Sequence, residues 1–207
     1  MVRINSIYFG SAAQPLIFGQ PVVEMVCEGS NLTPLDTVAL PTISTVETLW
    51  QSIRSGQKKM AQWVVVQGGE LLLAPDCING IMQTLNRPLY LCTNGTLPDH
   101  FAALDAAPGY VEFGLDFDHL DLQLDFLLRL ARSVPVGFRL DVSTQPSLQV
   151  VQRAFERINI VCPTFDVILS AKPSHLSPSS WRDAQQSLNR YIQLLGDCSQ
   201  RIWGVVG

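Results

Sequence analysis

The run Trp63-Val64-Val65-Val66-Gln67, followed at once by Gly68-Gly69-Glu70, constrains the fold of this chain more than any other stretch. A short, wholly apolar and β-branched run is the mark of a strand buried on both faces, as in a parallel sheet. Two glycines at its exit let backbone approach a ligand closely. Residues 75–85 then place Ile78, Ile81, Met82 and Leu85 at helical spacing, and 89–92 form a second apolar strand ending in Thr93-Asn94-Gly95-Thr96. Strand, helix and strand in that order require parallel pairing and a right-handed crossover.

The alternation extends both ways. Upstream, strands are expected over 3–9 and 21–28, a long loop over 29–43, and a helix over 44–56 with Ser44 and Glu47 as a capping box and Gly56 as its stop. Downstream, helices over 98–106, 120–132, 147–157 and 178–195 alternate with strands over 110–115, 136–142, 165–169 and 201–206. That order defines an α/β fold, either an open doubly wound sheet or a barrel, complete or partial.

Composition fits one domain spanning 1–207. Hydrophobic residues make up 47% and charged residues 15%, which excludes disorder and leaves surface for a protein partner or a second copy of the chain. A net charge of −4 gives no electrostatic footprint for nucleic acid or an anionic membrane. No stretch reaches the apolar length of a membrane span, and residues 1–5 lack the basic and apolar pattern of a leader, so a cytoplasmic protein is expected. The five cysteines, at 27, 77, 92, 162 and 198, have neither disulfide-framework nor metal-motif spacing. His100, His119 and His175 likewise lack the spacing of a zinc site.

In parallel α/β folds, ligands sit at the carboxyl ends of the strands. Among the polar residues at those ends, Thr96, Asp118, Ser143 and Ser174 read as turn formers and caps. Gly68, Gly69, Glu70, Thr93, Asn94, Ser170 and Lys172 read as ligand-binding candidates. Glu70, Asp116, Asp141 and Lys172 on one rim also support an alternative, a non-radical enzyme acting on a small polar metabolite. No nucleophile elbow, phosphate loop or dinucleotide fingerprint is present.

Ile4-Asn5-Ser6-Ile7-Tyr8, Gly19-Gln20-Pro21-Val22-Val23, Gly29-Ser30-Asn31-Leu32, Asp36-Thr37, Gly68-Gly69-Glu70-Leu71-Leu72, Thr93-Asn94-Gly95-Thr96 and Ser170-Ala171-Lys172-Pro173 follow one another in order. Together they resemble the 7-carboxy-7-deazaguanine synthases, radical S-adenosylmethionine enzymes of the deazapurine and queuosine pathway. The resemblance implies a partial parallel (βα)6-type barrel, usually dimeric, and an S-adenosylmethionine site formed by the strand-exit motifs.

It also marks departures. The family's loop after the second strand carries three cysteines that bind an iron-sulfur cluster. Here Ser30 stands at the first of these positions, and Thr33-Pro34-Leu35 replace the stretch that held the others. Serine and proline cannot replace thiolate ligands. The degenerate loop therefore comprises Ser30, Asn31, Thr33, Pro34, Asp36 and Thr37; in the family, the threonine matching Thr37 is a magnesium ligand. On the substrate side, the family's Gln-Gly-Glu-Gly corresponds to the region 12–14, and its second-strand arginine falls at Val26. The resemblance thus implies a cluster-free pseudoenzyme with no metal and no iron-sulfur cluster. Its role would be interaction or regulation, as a homodimer or with a partner protein, and an adenosyl ligand is what its remaining motifs could still hold.

Overall fold

A computed structural model describes residues 3–32, 43–130, 133–171, 178–195 and 201–206. Their strands are β1 (Arg3–Ser11), β2 (Pro21–Glu28), β3 (Trp63–Gln67), β4 (Leu89–Thr93), β5 (Tyr110–Gly114), β6 (Val136–Asp141), β7 (Asp166–Ala171) and β8 (Arg201–Val206). The helices are α1 (Ile43–Ser52), α2 (Ser55–Met60), α3 (Pro75–Leu85), α4 (Pro98–Ala102), α5 (Leu120–Arg129), α6 (Leu148–Val161) and α7 (Pro178–Leu195). No helix of the described residues is long and apolar enough to cross a membrane.

The eight strands form one sheet in chain order. β1 and β2 pair antiparallel, with a register shift between Ile4 and Ser6, and every later neighbour is parallel. Because the order never reverses, right-handed crossovers bring the helices to the same face. This excludes the doubly wound alternative. β1 and β8 remain edges, so the sheet is an open partial barrel and does not close.

Side-chain alternation along each strand sorts the residues between two interiors. On the helix side, Val66, Leu91, Phe113, Phe138 and Leu169 pack with Ile78 and Ile81 of α3, Phe126 of α5, Val151 of α6 and Leu188 of α7. Phe113 anchors this core, stacking on Phe138 and meeting Phe126 edge-on, each with ring centroids 5.1 Å apart. On the concave side, the β1–β2 connection folds inward through a 3-10 turn at Pro15–Ile17. Its Ala12 and Ile17 pack with Val65, Tyr90 and Tyr110, so the chain fills part of its own barrel interior.

The expected helix over 44–56 is two helices. The chain leaves helical geometry at Arg54, whose ψ is 139°, and Ile53 is buried against Val23 and Ala61. Gln57 then accepts from the Arg54 backbone N–H and starts α2, so Gly56 lies inside a helix rather than ending one. α1 already begins at Ile43, so Ser44 lies inside it rather than at its N-cap as expected, and most of the loop over 29–43 lies outside what is described. α4 stops at Ala102, short of the expected 106, because Asn79 of α3 accepts from the Asp105 N–H and donates to the Ala103 carbonyl. α6 instead runs on to Val161, beyond the expected 157.

Candidate functional site

Gly68 has φ +98°, and a Cβ there would lie 2.3 Å from the Cys27 carbonyl oxygen. A Cβ on Gly69 would lie 2.6 Å from the Gly29 carbonyl oxygen. The close approach these glycines permit is therefore between the exits of β2 and β3. The contact is sealed by the Glu70 N–H, which donates to the Gly29 carbonyl at 2.8 Å.

Glu70 is 2% exposed. Its Oε2 accepts from the Thr93 hydroxyl and the Asn94 N–H, both at 2.8 Å, and its Oε1 accepts from the Leu72 N–H at 3.2 Å. Burial raises its carboxyl above the ordinary value, and the three donated hydrogen bonds offset this only in part. One side chain thus clamps the ends of β3 and β4. Asn94 extends the clamp: its amide donates to Asn31 Oδ1 at 2.8 Å, while Asn31 donates to the Thr96 hydroxyl at 2.7 Å. Residues at the start of the long loop are therefore tied to the Thr93–Thr96 turn by side-chain amides.

These elements wall a cavity of about 500 Å³, within the range of small-molecule sites. Gly29, Ser30, Leu32, Gly68, Gly69, Glu70, Thr93 and Asn94 form its rim. Gln67, Cys92, Glu112, Gly114 and Arg139 form the floor, all from the concave face of the strands. Arg139 donates from Nε and Nη2 to the two Glu112 oxygens at 2.5 and 3.2 Å, and the Tyr90 hydroxyl donates to Glu112 at 2.6 Å. Burial acts to lower the Arg139 pKa, but the adjoining Glu112 carboxylate outweighs it and holds the value above the ordinary one. Burial first, and Glu112 next, push the Cys92 thiol well above its usual range. Beside the floor, Gln67 donates to Glu24, and Gln14 donates to Gln67 at 3.4 Å.

Of the residues singled out by sequence, Gly68, Gly69, Glu70, Thr93, Asn94 and Ser30 meet at this cavity, and Asn31 is joined to them by hydrogen bonds. Ser170 is half-buried, with its hydroxyl 3.5 Å from the Leu140 carbonyl, and does not line the cavity. Thr33, Pro34, Asp36, Thr37 and Lys172 lie outside the described residues. The rim carboxylates do not converge. Asp116 accepts from the Asp118 N–H and pairs with His119, and Asp141 accepts from the Ser143 N–H, so each shapes its own turn.

The floor escaped a reading confined to strand ends. The available signal was a charged residue inside an apolar strand: Glu24 in Val-Val-Glu-Met-Val, Glu112 in Tyr-Val-Glu-Phe-Gly and Arg139 in Gly-Phe-Arg-Leu. Period-two alternation sends such a residue to the face opposite its apolar neighbours.

Among the described residues, no three cysteine, histidine or acidic side chains come together as a metal-binding group. Between Cys27 and Cys77 the sequence contains no cysteine, and both side chains belong to the helix-side core. Burial pushes Cys27 up to about 12 and Cys77 up to about 11.

The chain matches no protein-family model and no curated protein sequence. Among solved structures, it is similar to SuiB of Streptococcus suis, determined with S-adenosylmethionine bound, at a TM-score of 0.52 and 12% identity. The match covers 86% of this chain and 47% of SuiB, so this chain corresponds to about half of that protein. At this identity the likeness concerns the fold.

Proposed function

We propose that this chain is a cluster-free adenosyl-binding protein that acts by regulatory or scaffolding contact with protein and does no radical chemistry. The observation that carries the reading is the cavity at the exits of β2, β3 and β4, whose rim gathers Gly68-Gly69-Glu70 and Thr93-Asn94. The fold shared with a protein solved in complex with S-adenosylmethionine supports an adenosyl ligand. The Asn94 amide, the Ser30 hydroxyl and the backbone beside Gly68 offer polar contacts suited to a nucleoside. The missing cysteine set and the core positions of Cys27 and Cys77 support the cluster-free part.

The proposed protein partner is a second copy of the chain. Leu128 of α5 and Ile160 of α6, 70% and 82% exposed, are the apolar side chains such a contact would cover. Resemblance to the deazaguanine synthases further suggests a role beside their pathway.

Calorimetric titration with S-adenosylhomocysteine and 5′-methylthioadenosine tests the ligand. Binding of both, weakened in Asn94→Ala, is expected; no heat with either at millimolar concentration defeats the adenosyl reading. Sedimentation tests the partner, and a strict monomer at high concentration defeats the dimer.

A further inference from the structure

Arg139 stands on the cavity floor in an arrangement that adenosyl binding at the rim does not use. Its Nε–Nη2 edge is occupied by Glu112, which is 4% exposed and is held from its other side by the Tyr90 hydroxyl. That pairing fixes the guanidinium plane without consuming all five of its donors. The side chain is 31% exposed and lines the cavity, and Nη1 has no hydrogen-bond partner among the described residues. A planar cation oriented by a buried carboxylate, with an open two-donor edge on a cavity, is the geometry of bidentate anion recognition.

We propose that the Nη1–Nη2 edge of Arg139 binds the carboxylate of a small organic acid on the cavity floor, apart from the Gly68–Asn94 rim. The charges nearby select this class of anion. Arg139 is the only cationic residue among the described residues lining the cavity, and Glu112 already balances much of its charge, while Glu70 adds a second buried carboxyl group. A phosphate dianion would bring two negative charges toward these two acids in a poorly hydrated space, where repulsion is strong. A carboxylate brings one and matches the planar fork. A cationic group is disfavoured because the Glu112 oxygens already accept from Arg139 Nε, Arg139 Nη2 and Tyr90. The Gln67 amide and the neutral Cys92 thiol add no charge, while Glu24, 5% exposed and accepting from Gln67, adds a third acid beside the floor and weighs further against a dianion.

The test uses three matched probes, benzoate, benzamide and phenylphosphonate, with the full chain labelled with ¹⁵N-arginine. The Arg139 side-chain signals are assigned by their loss in Arg139→Lys. Benzoate should shift those signals saturably, while benzamide and phenylphosphonate bind about tenfold more weakly or worse. Ligand-observed NMR should show about a tenfold loss of benzoate affinity in Arg139→Lys, which keeps the charge but not the planar fork. Arg139→Gln alone would leave Glu112 buried and unpaired, so the second variant is Glu112→Gln with Arg139→Gln, which should fold and bind no benzoate. Absence of any benzoate-induced shift at Arg139, phenylphosphonate binding as tightly as benzoate, or undiminished benzoate binding in either variant would overturn the proposal. Titration of the adenosyl compounds is a separate measurement, so failure here leaves the rim reading standing and the converse also holds.

Discussion

The backbone N–H of Asn94 donates to Oε2 of Glu70 at 2.8 Å, and this bond joins the exit of β4 to the exit of β3. Glu70 is thereby a structural clamp for the rim as well as part of its lining.

A pH dependence follows from that clamp. Burial raises the folded-state pKa of Glu70 above its unfolded value of about 4.3. Between the unfolded and folded values, the native chain holds the extra proton, so the Glu70 contribution to stability is fully present below the unfolded pKa. It is lost as pH rises through the folded one. Urea unfolding of wild type and Glu70→Gln across acid to neutral pH isolates the effect. The difference in stability between the two proteins should change with that sign, and a pH-independent difference would contradict the assignment.

Gly68 cannot carry a side chain. Alanine there would combine a left-handed backbone with a Cβ placed 2.3 Å from the Cys27 carbonyl oxygen. Gly68→Ala should cost about 3–4 kcal/mol from strain and overpacking together. Denaturant midpoints measure this, and a cost below about 1 kcal/mol would show that the β2 and β3 exits separate easily.

Gly137 of β6 accommodates the Tyr110 hydroxyl, since a Cβ on Gly137 would lie 2.2 Å from that oxygen. The same hydroxyl donates to Asp166 at 3.0 Å, beneath the cavity floor. Gly137→Ala should destabilise by about 2–3 kcal/mol. Adding Tyr110→Phe should recover part of that loss, although it leaves Asp166 with one donor fewer. A double-mutant cycle reads the coupling, and strict additivity would refute the steric account.

Cys27 and Cys77 should behave as core residues. With Cys27 and Cys77 buried and their thiols held protonated, alkylation of both at neutral pH should be slow in the folded chain and rapid after denaturation. Anaerobic reconstitution with iron and sulfide should yield no stoichiometric cluster. A brown protein that cleaves S-adenosylmethionine under reduction would overturn the cluster-free reading.

Apolar periodicity and Gly or Pro boundaries are local signals, so the alternation of strands and helices was legible in the chain apart from the break at Arg54. Val64-Val65-Val66 marks a doubly covered strand without reference to its neighbours, and the motifs at 68–70 and 93–96 mark the places where strands end. The positions of the five cysteines, with no three close together, are likewise read from the chain alone. That the sheet is singly wound and open emerged only in the folded chain, because strand order depends on contacts between distant segments. The tertiary structure assigned Gly68 and Gly69 to packing against Cys27 and Gly29, some forty residues away. It also brought Glu112 and Arg139 together, 27 positions apart, on the floor beneath Gly68 and Asn94. Their alternation was visible in the strands, but the direction of each inward face, and the partner waiting on it, is fixed by sheet register and curvature.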